Sequence, residues 1–115
     1  MRVTSDFWVS ALIRRLQKQG GFAAVIRRGA TDAGAIFLIS RSRMGALSLF
    51  GPAPQADYTE SRPAERMFTS LVAAGSQADI DARLERELRF DPDVWVVELE
   101  VEDSEIADLL EVRRP

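Results

Sequence analysis

The run Ala35-Ile36-Phe37-Leu38-Ile39-Ser40 constrains the fold of this chain more than any other stretch. A strand with one wet face alternates apolar and polar residues, because successive side chains point to opposite sides of a sheet. This run does not alternate. It reads as a strand buried on both faces, in a sheet that helices cover on both sides.

The flanking sequence supplies the other elements. Residues 5–19 read as an amphipathic helix, with Trp8, Leu12 and Leu16 at i, i+4, i+8 and with Val9 and Ile13 widening the stripe. Ser5 is placed to cap it, and Gly20-Gly21 to end it. Strands are expected over 22–28, 35–40 and 46–50, and their short glycine-containing connections fit an antiparallel meander. Residues 51–65 hold Pro52, Pro54 and Pro63, and this connection is longer than the usual 4–6 residues or so. A fourth strand is expected over 66–73, with a short helix as the alternative. Residues 77–89 form a second helix, where Ser76 and Asp79 make a capping box and Ile80, Leu84 and Leu88 a narrow stripe. Asp91-Pro92-Asp93 ends it. Residues 94–101 form the last strand, with Trp95, Val97, Leu99 and Val101 on one face and Val94, Val96, Glu98 and Glu100 on the other.

The expected fold is therefore α/β (α+β), a single domain in the order α-β-β-β-β-α-β with a mixed or mostly antiparallel sheet. A three-layer sandwich is favoured over a two-layer one. Residues 1–103 form the globular domain, and 104–115 an acidic C-terminal tail or short helix. At 115 residues the chain is long enough for a substantial core. No apolar run approaches the ~20 residues of a membrane helix, and no secretory signal is read after Arg2. The expected compartment is the cytoplasm.

Chemistry is bounded by two absences, since the chain holds neither histidine nor cysteine. That removes thiolate nucleophiles, disulfides, the usual zinc sites and histidine relays. Oxygen ligands alone could hold a metal, and they suit magnesium, calcium or manganese. No glycine loop opens a helix to cradle a phosphate. No metal site and no cofactor are expected.

The charge is split along the chain. Residues 1–66 carry ten Lys/Arg against five acids, and residues 67–115 carry five against thirteen. Either the halves neutralise each other, or the basic half binds an anion. Arg27, Arg28, Arg41 and Arg43 flank strand ends and could gather into a phosphate-binding or RNA-binding edge, with Arg14 beside them. The overall acidic balance and the lack of interleaved aromatics speak against nucleic acid. Arg15 borders the apolar stripe of the first helix and either snorkels or pairs with a carboxylate, for which Glu98 is a candidate, with a clamp on a ligand as the alternative. Asp91 and Asp93 read as a turn, with a cation site as the alternative. Trp8 and Trp95 read as core residues. In Phe50-Gly51-Pro52-Ala53-Pro54-Gln55-Ala56-Asp57-Tyr58 the prolines make a rigid strand exit. Gln55, Asp57 and Tyr58 are then among the few groups left that could orient a ligand, which makes this loop the leading site candidate.

Several stretches together carry a resemblance. They are Asp6-Phe7-Trp8-Val9-Ser10-Ala11-Leu12-Ile13-Arg14-Arg15, Gly20-Gly21-Phe22-Ala23, Asp32-Ala33-Gly34-Ala35, residues 51–58, and Phe90-Asp91-Pro92-Asp93-Val94-Trp95-Val96-Val97-Glu98. The chain resembles, over nearly its whole length, a small alphaproteobacterial family classed as a domain of unknown function, number 1491. The resemblance implies a bacterial protein in a single domain and brings no catalytic residues with it.

Three functions follow as expectations. The first is a non-catalytic binding or regulatory module, with a protein partner or a second copy docking on the acidic tail. The second is a binder of an anionic small molecule or nucleic acid at the arginines. The third is an enzyme using Asp57, Tyr58, Asp91 or Asp93. The missing histidine and cysteine weigh against the third.

Overall fold

The computed structural model describes residues 3–54 and 66–113. Among them the chain runs α1 (Ser5–Lys18), β1 (Phe22–Arg27), β2 (Ile36–Arg41), β3 (Leu47–Pro52), β4 (Met67–Gly75), α2 (Gln77–Phe90), β5 (Trp95–Glu100), α3 (Asp103–Leu109) and β6 (Glu111–Arg113). The expected order α-β-β-β-β-α-β is found; α3 lies where a short helix or an acidic tail is expected, and β6 is added beyond it.

The strands form one mixed sheet in the order β1-β5-β2-β3-β4-β6. β2, β3 and β4 are antiparallel neighbours, but of the meander expected over 22–28, 35–40 and 46–50 only the β2–β3 hairpin is found. β1 does not belong to it. β5 lies between β1 and β2, antiparallel to the first and parallel to the second. The burial of each strand explains the insertion. Trp95, Val96 and Val97 of β5 are almost wholly buried, which requires neighbours on both sides, whereas β1 is half-exposed and suits an edge.

Two crossovers join parallel strands and run opposite ways along the sheet. β4-α2-β5 moves toward β1, and β5-α3-β6 moves away from it. A single crossover hand then requires α2 and α3 to lie on opposite faces. The core divides accordingly. On one face Val9, Leu12 and Leu16 of α1 and Ile106 and Leu109 of α3 pack on Ile36, Leu38, Trp95, Val97 and Leu99. On the other, Ile80, Leu84 and Leu88 of α2 pack on Phe37, Ile39, Leu47, Leu49 and Val96. β2 contributes to both, so the three-layer arrangement follows from residues 35–40 as expected. Trp8 lies tilted on Phe68, with ring centroids 5.4 Å apart, and Trp95 is buried to 1% exposure. Trp95 is a core residue, and Trp8, partly buried, packs against the same core.

The turn before β2 closes one corner. Ala30 N–H donates to the Asp93 carbonyl at 2.9 Å, and Trp95 Nε1 donates to the Ala30 carbonyl at 2.8 Å. Thr4, not Ser5, caps α1 by accepting from Phe7 N–H. Ser5 is buried and donates its hydroxyl to the Gly34 carbonyl at 2.6 Å. The N–H groups of Ser5 and Asp6 donate to the carbonyls of Asp32 and Thr31, so this turn satisfies the first donors of α1. At α2 the capping box of Ser76 and Asp79 is present as expected.

β3 continues through Gly51 and Pro52, which pair with Thr69 and Phe68, and Ala53 N–H donates to the Met67 carbonyl. The ladder with β2 has already ended at Leu38 opposite Phe50. N–H groups alternate sides along a strand, so the nitrogen of Pro52 falls on the side that has no ladder to complete. The strand exit is therefore extended, as the prolines imply, but pairing persists to Ala53.

Candidate functional site

β2 and β5 are parallel neighbours, and their carboxyl ends, Arg41 and Glu100, open at the same rim of the sheet. Ligands of open α/β sheets commonly sit outside such strand ends. Here the rim bounds a cleft of about 690 Å³, between the end of α1, the start of β1, the β2–β3 hairpin and α3. The volume lies within the range of small-ligand sites.

Charge distinguishes the cleft. Arg41 and Arg43 line it together with four carboxylates, those of Glu100, Glu102, Glu105 and Asp108. The Arg41 guanidinium meets the Glu98 carboxylate with both contacts at 3.3 Å, which uses much of its charge. Glu102 accepts from the Arg43 backbone N–H at 2.7 Å, and Glu105 accepts from the Glu102 N–H at 3.1 Å. Glu100 and Asp108 are exposed, and neither forms an ion pair among the described residues. The C-terminus of α1, at Gln19-Gly20-Gly21, adds the negative end of a helix dipole. The cleft therefore favours a cation.

The arginines named from the sequence do not gather. Arg27 donates to the Pro92 carbonyl at 2.8 Å. Arg28 pairs with Asp6 at 3.0 Å and lies over the Trp95 ring at 4.9 Å. Arg14 is exposed on α1. Only Arg41 and Arg43 share the cleft. β5 separates β1 from β2, so the turns that were to bring these side chains together are not adjacent.

Arg15 does not pair with Glu98. It donates to the carbonyls of Asp108 and Leu109 at 3.1 and 3.4 Å, at the end of α3. The reason is the layering. α1 packs on the face of Trp95 and Val97, while Glu98 points to the opposite face, where Arg41 takes it. Asp91 and Asp93 build a turn, the Asp91 carboxylate accepting from Asp93 N–H at 3.0 Å. Among the described residues no three acidic side chains group so as to hold a metal ion. Gln55, Asp57 and Tyr58 lie outside the described residues. The apolar side of the acidic tail is engaged by the chain itself, since Ile106, Leu109 and Leu110 are buried in the core.

Sequence reasoning missed Glu100, Glu102, Glu105 and Asp108 as site residues. The signal was the excess of acids after residue 66, which reads equally well as a solvated tail. Glycines 20 and 21 read only as a helix stop.

Among the described residues no helix is long and apolar enough to cross a membrane. No protein of curated function resembles the chain detectably. Solved structures do. The solution structure of Atu0922 from A. tumefaciens is 47% identical, with a TM-score of 0.85, covering 100% of this chain and 98% of that one. The crystal structure of a DUF1491 family protein from Caulobacter crescentus is 37% identical, with a TM-score of 0.77 and coverage of 98% and 99%. An NMR structure of a DUF1491 family protein from the same organism is 38% identical, with a TM-score of 0.77 and 98% coverage of each chain. Residues 3–110 match the model of a family described as protein of unknown function. The chain belongs to the DUF1491 family.

Proposed function

We propose that this chain is a non-catalytic binding module, that its site is the cleft at the carboxyl ends of β2 and β5, and that its ligand presents a guanidinium or ammonium group. The observation that carries this reading is the charge of the lining, where four carboxylates and a helix C-terminus outweigh two arginines. An anion would meet repulsion there, and phosphate-rich nucleic acid most of all. A protein chain with an exposed basic side chain fits better. The enzymatic reading has less support, because Asp91 and Asp93 are engaged in a turn away from the cleft.

The test is a titration of the ¹⁵N-labelled chain with an end-blocked Gly-Arg-Arg-Gly peptide at low salt. Amide shifts are expected at Gly20, Gly21, Gly45 and Glu100, weakened by salt and by the double substitution Glu100→Gln, Asp108→Asn. Equal shifts with Gly-Glu-Glu-Gly, or shifts scattered over the surface, would sink the reading.

A further inference from the structure

We infer that a second copy of this chain is the occupant, docking through an antiparallel pairing of β1 with β1 that carries Arg27 and Arg28 of each copy to the cleft of the other. The inference rests on the cleft's reading as a cation site, and it names the partner.

β1 is the first observation. It ends the sheet, so one row of its N–H and C=O groups faces outward. Natural edges are usually blunted by charge, by bulges or by shortness. The opposite edge, β6, is three residues long. β1 has a bulge between Val25 and Arg27, but Phe22-Ala23-Ala24-Val25-Ile26 holds no charge. Phe22 is 53% exposed and Ile26 59%. Phe22 and Ala24 lie opposite Glu100 and Glu98, on the α2 face of the sheet, but the apolar cluster under α2 draws on β2, β3, β5 and β4 and includes no residue of β1. Among the described residues neither the edge nor this part of the face is covered.

The second observation is self-complementarity. A two-fold axis perpendicular to the sheet pairs residues that share a face, so the pairing must be centred on a residue. Centred on Ala24, it sets Ala23 against Val25 of the other copy, twice, and brings Phe22 to Ile26, the residue at the β1 bulge. Apolar side chains then meet only apolar ones. Beyond the bulge the strict register ends, and Arg27 and Arg28 run toward Gly21 and Gly20 of the other copy, so no arginine faces an arginine.

The third observation is where those glycines lie. Gly20, Gly21 and Phe22 line the acidic cleft beside Glu100. Any antiparallel β1 pair brings the basic end of one strand to this acidic end of the other. Both arginines are exposed, the Arg28 side chain to 66%, and on docking Arg27 exchanges its Pro92 carbonyl, and Arg28 its Asp6 carboxylate, for the cleft of the other copy. The cleft that favours a cation thus receives two, and the exchange is reciprocal as two-fold symmetry requires.

A five-residue strand pair is a small interface at the weak end of specific contacts, so association should be followed from about 10 µM to 1 mM. Sedimentation equilibrium of the full chain is expected to show a monomer–dimer equilibrium that salt weakens. Ile26→Lys and Arg27→Glu should each weaken it at least tenfold while unfolding curves stay superimposable with the unsubstituted chain. The chain has no cysteine, so register can be read by cross-linking. Ala24→Cys places two sulfurs on Cα atoms about 4.5–5.5 Å apart, within disulfide reach. Phe22→Cys places them about 13 Å apart. Oxidation should therefore link the first and leave the second monomeric. A chain that stays monomeric at 1 mM, or one whose Phe22→Cys form links as fast as its Ala24→Cys form, overturns the inference. The cleft reading stands or falls separately, on the arginine-peptide shifts, which a monomer can also show.

Discussion

Replacing Gly29 by alanine would insert a Cβ 2.2 Å from the Asp93 carbonyl oxygen, 2.6 Å from the Val94 carbonyl carbon and 2.7 Å from Trp95 Cδ1. Two of these neighbours are backbone atoms of the turn into β5, so relief requires moving that turn. Overpacking of this kind costs about 1–3 kcal/mol. The shift also strains the Ala30 N–H to Asp93 hydrogen bond, worth about 1 kcal/mol. The expected loss is about 2–4 kcal/mol, or about 8–16 °C in Tm for a domain of this size. Gly20→Ala is the control. Gly20 has φ +80° with nothing within 4 Å of an added Cβ, so only the left-handed backbone is penalised, by about 1–2 kcal/mol. Urea unfolding followed by the fluorescence of Trp8 and Trp95 reads both, and an unchanged m-value certifies that stability alone has moved. If Gly29→Ala costs no more than Gly20→Ala, the close approach of the 29–34 turn to β5 is not what requires glycine there.

Two further perturbations test the cap and the ion pair. Ser76→Ala should cost about 1 kcal/mol in urea by removing the acceptor for Asp79 N–H. The Asp79 carboxylate is held below its usual 3.8 by the Ser76 backbone N–H and then by the Ser76 side chain. A lowered pKa means stability that is present above 3.8 and lost as pH falls through the lower folded value. The stability gap between the native chain and Asp79→Ala should therefore be full from pH 5 to 7 and shrink below about pH 4, and a gap that stays constant to pH 2 would refute it. Arg41 and Glu98 have side chains 36% and 26% exposed, so their double-mutant cycle should give a coupling of only about 0.5–1 kcal/mol, falling in 1 M salt.

Local pattern determined much of this protein. Residues 35–40 lack alternation, and that alone implies a sheet covered on both faces. The i, i+4, i+8 stripe of Trp8, Leu12 and Leu16, the Ser76–Asp79 box and the alternation of β5 each give an element and its buried face. They are legible because each depends on residues within one or two turns of chain. The acid-rich C-terminal half was legible as charge but not as a cleft.

Tertiary structure decided the rest. Nothing local tells β5 to insert between β1 and β2, and that insertion parted the arginines, left β1 at the edge and set Glu100 beside Phe22. Layering turned Arg15 away from Glu98 and gave Glu98 to Arg41. β6 is three residues that exist as a strand only because β4 is there to pair with. An amphipathic pattern states how much surface an element must bury, but which partner covers it depends on pairing between distant residues. Those pairings set the strand order, and the strand order placed the cleft.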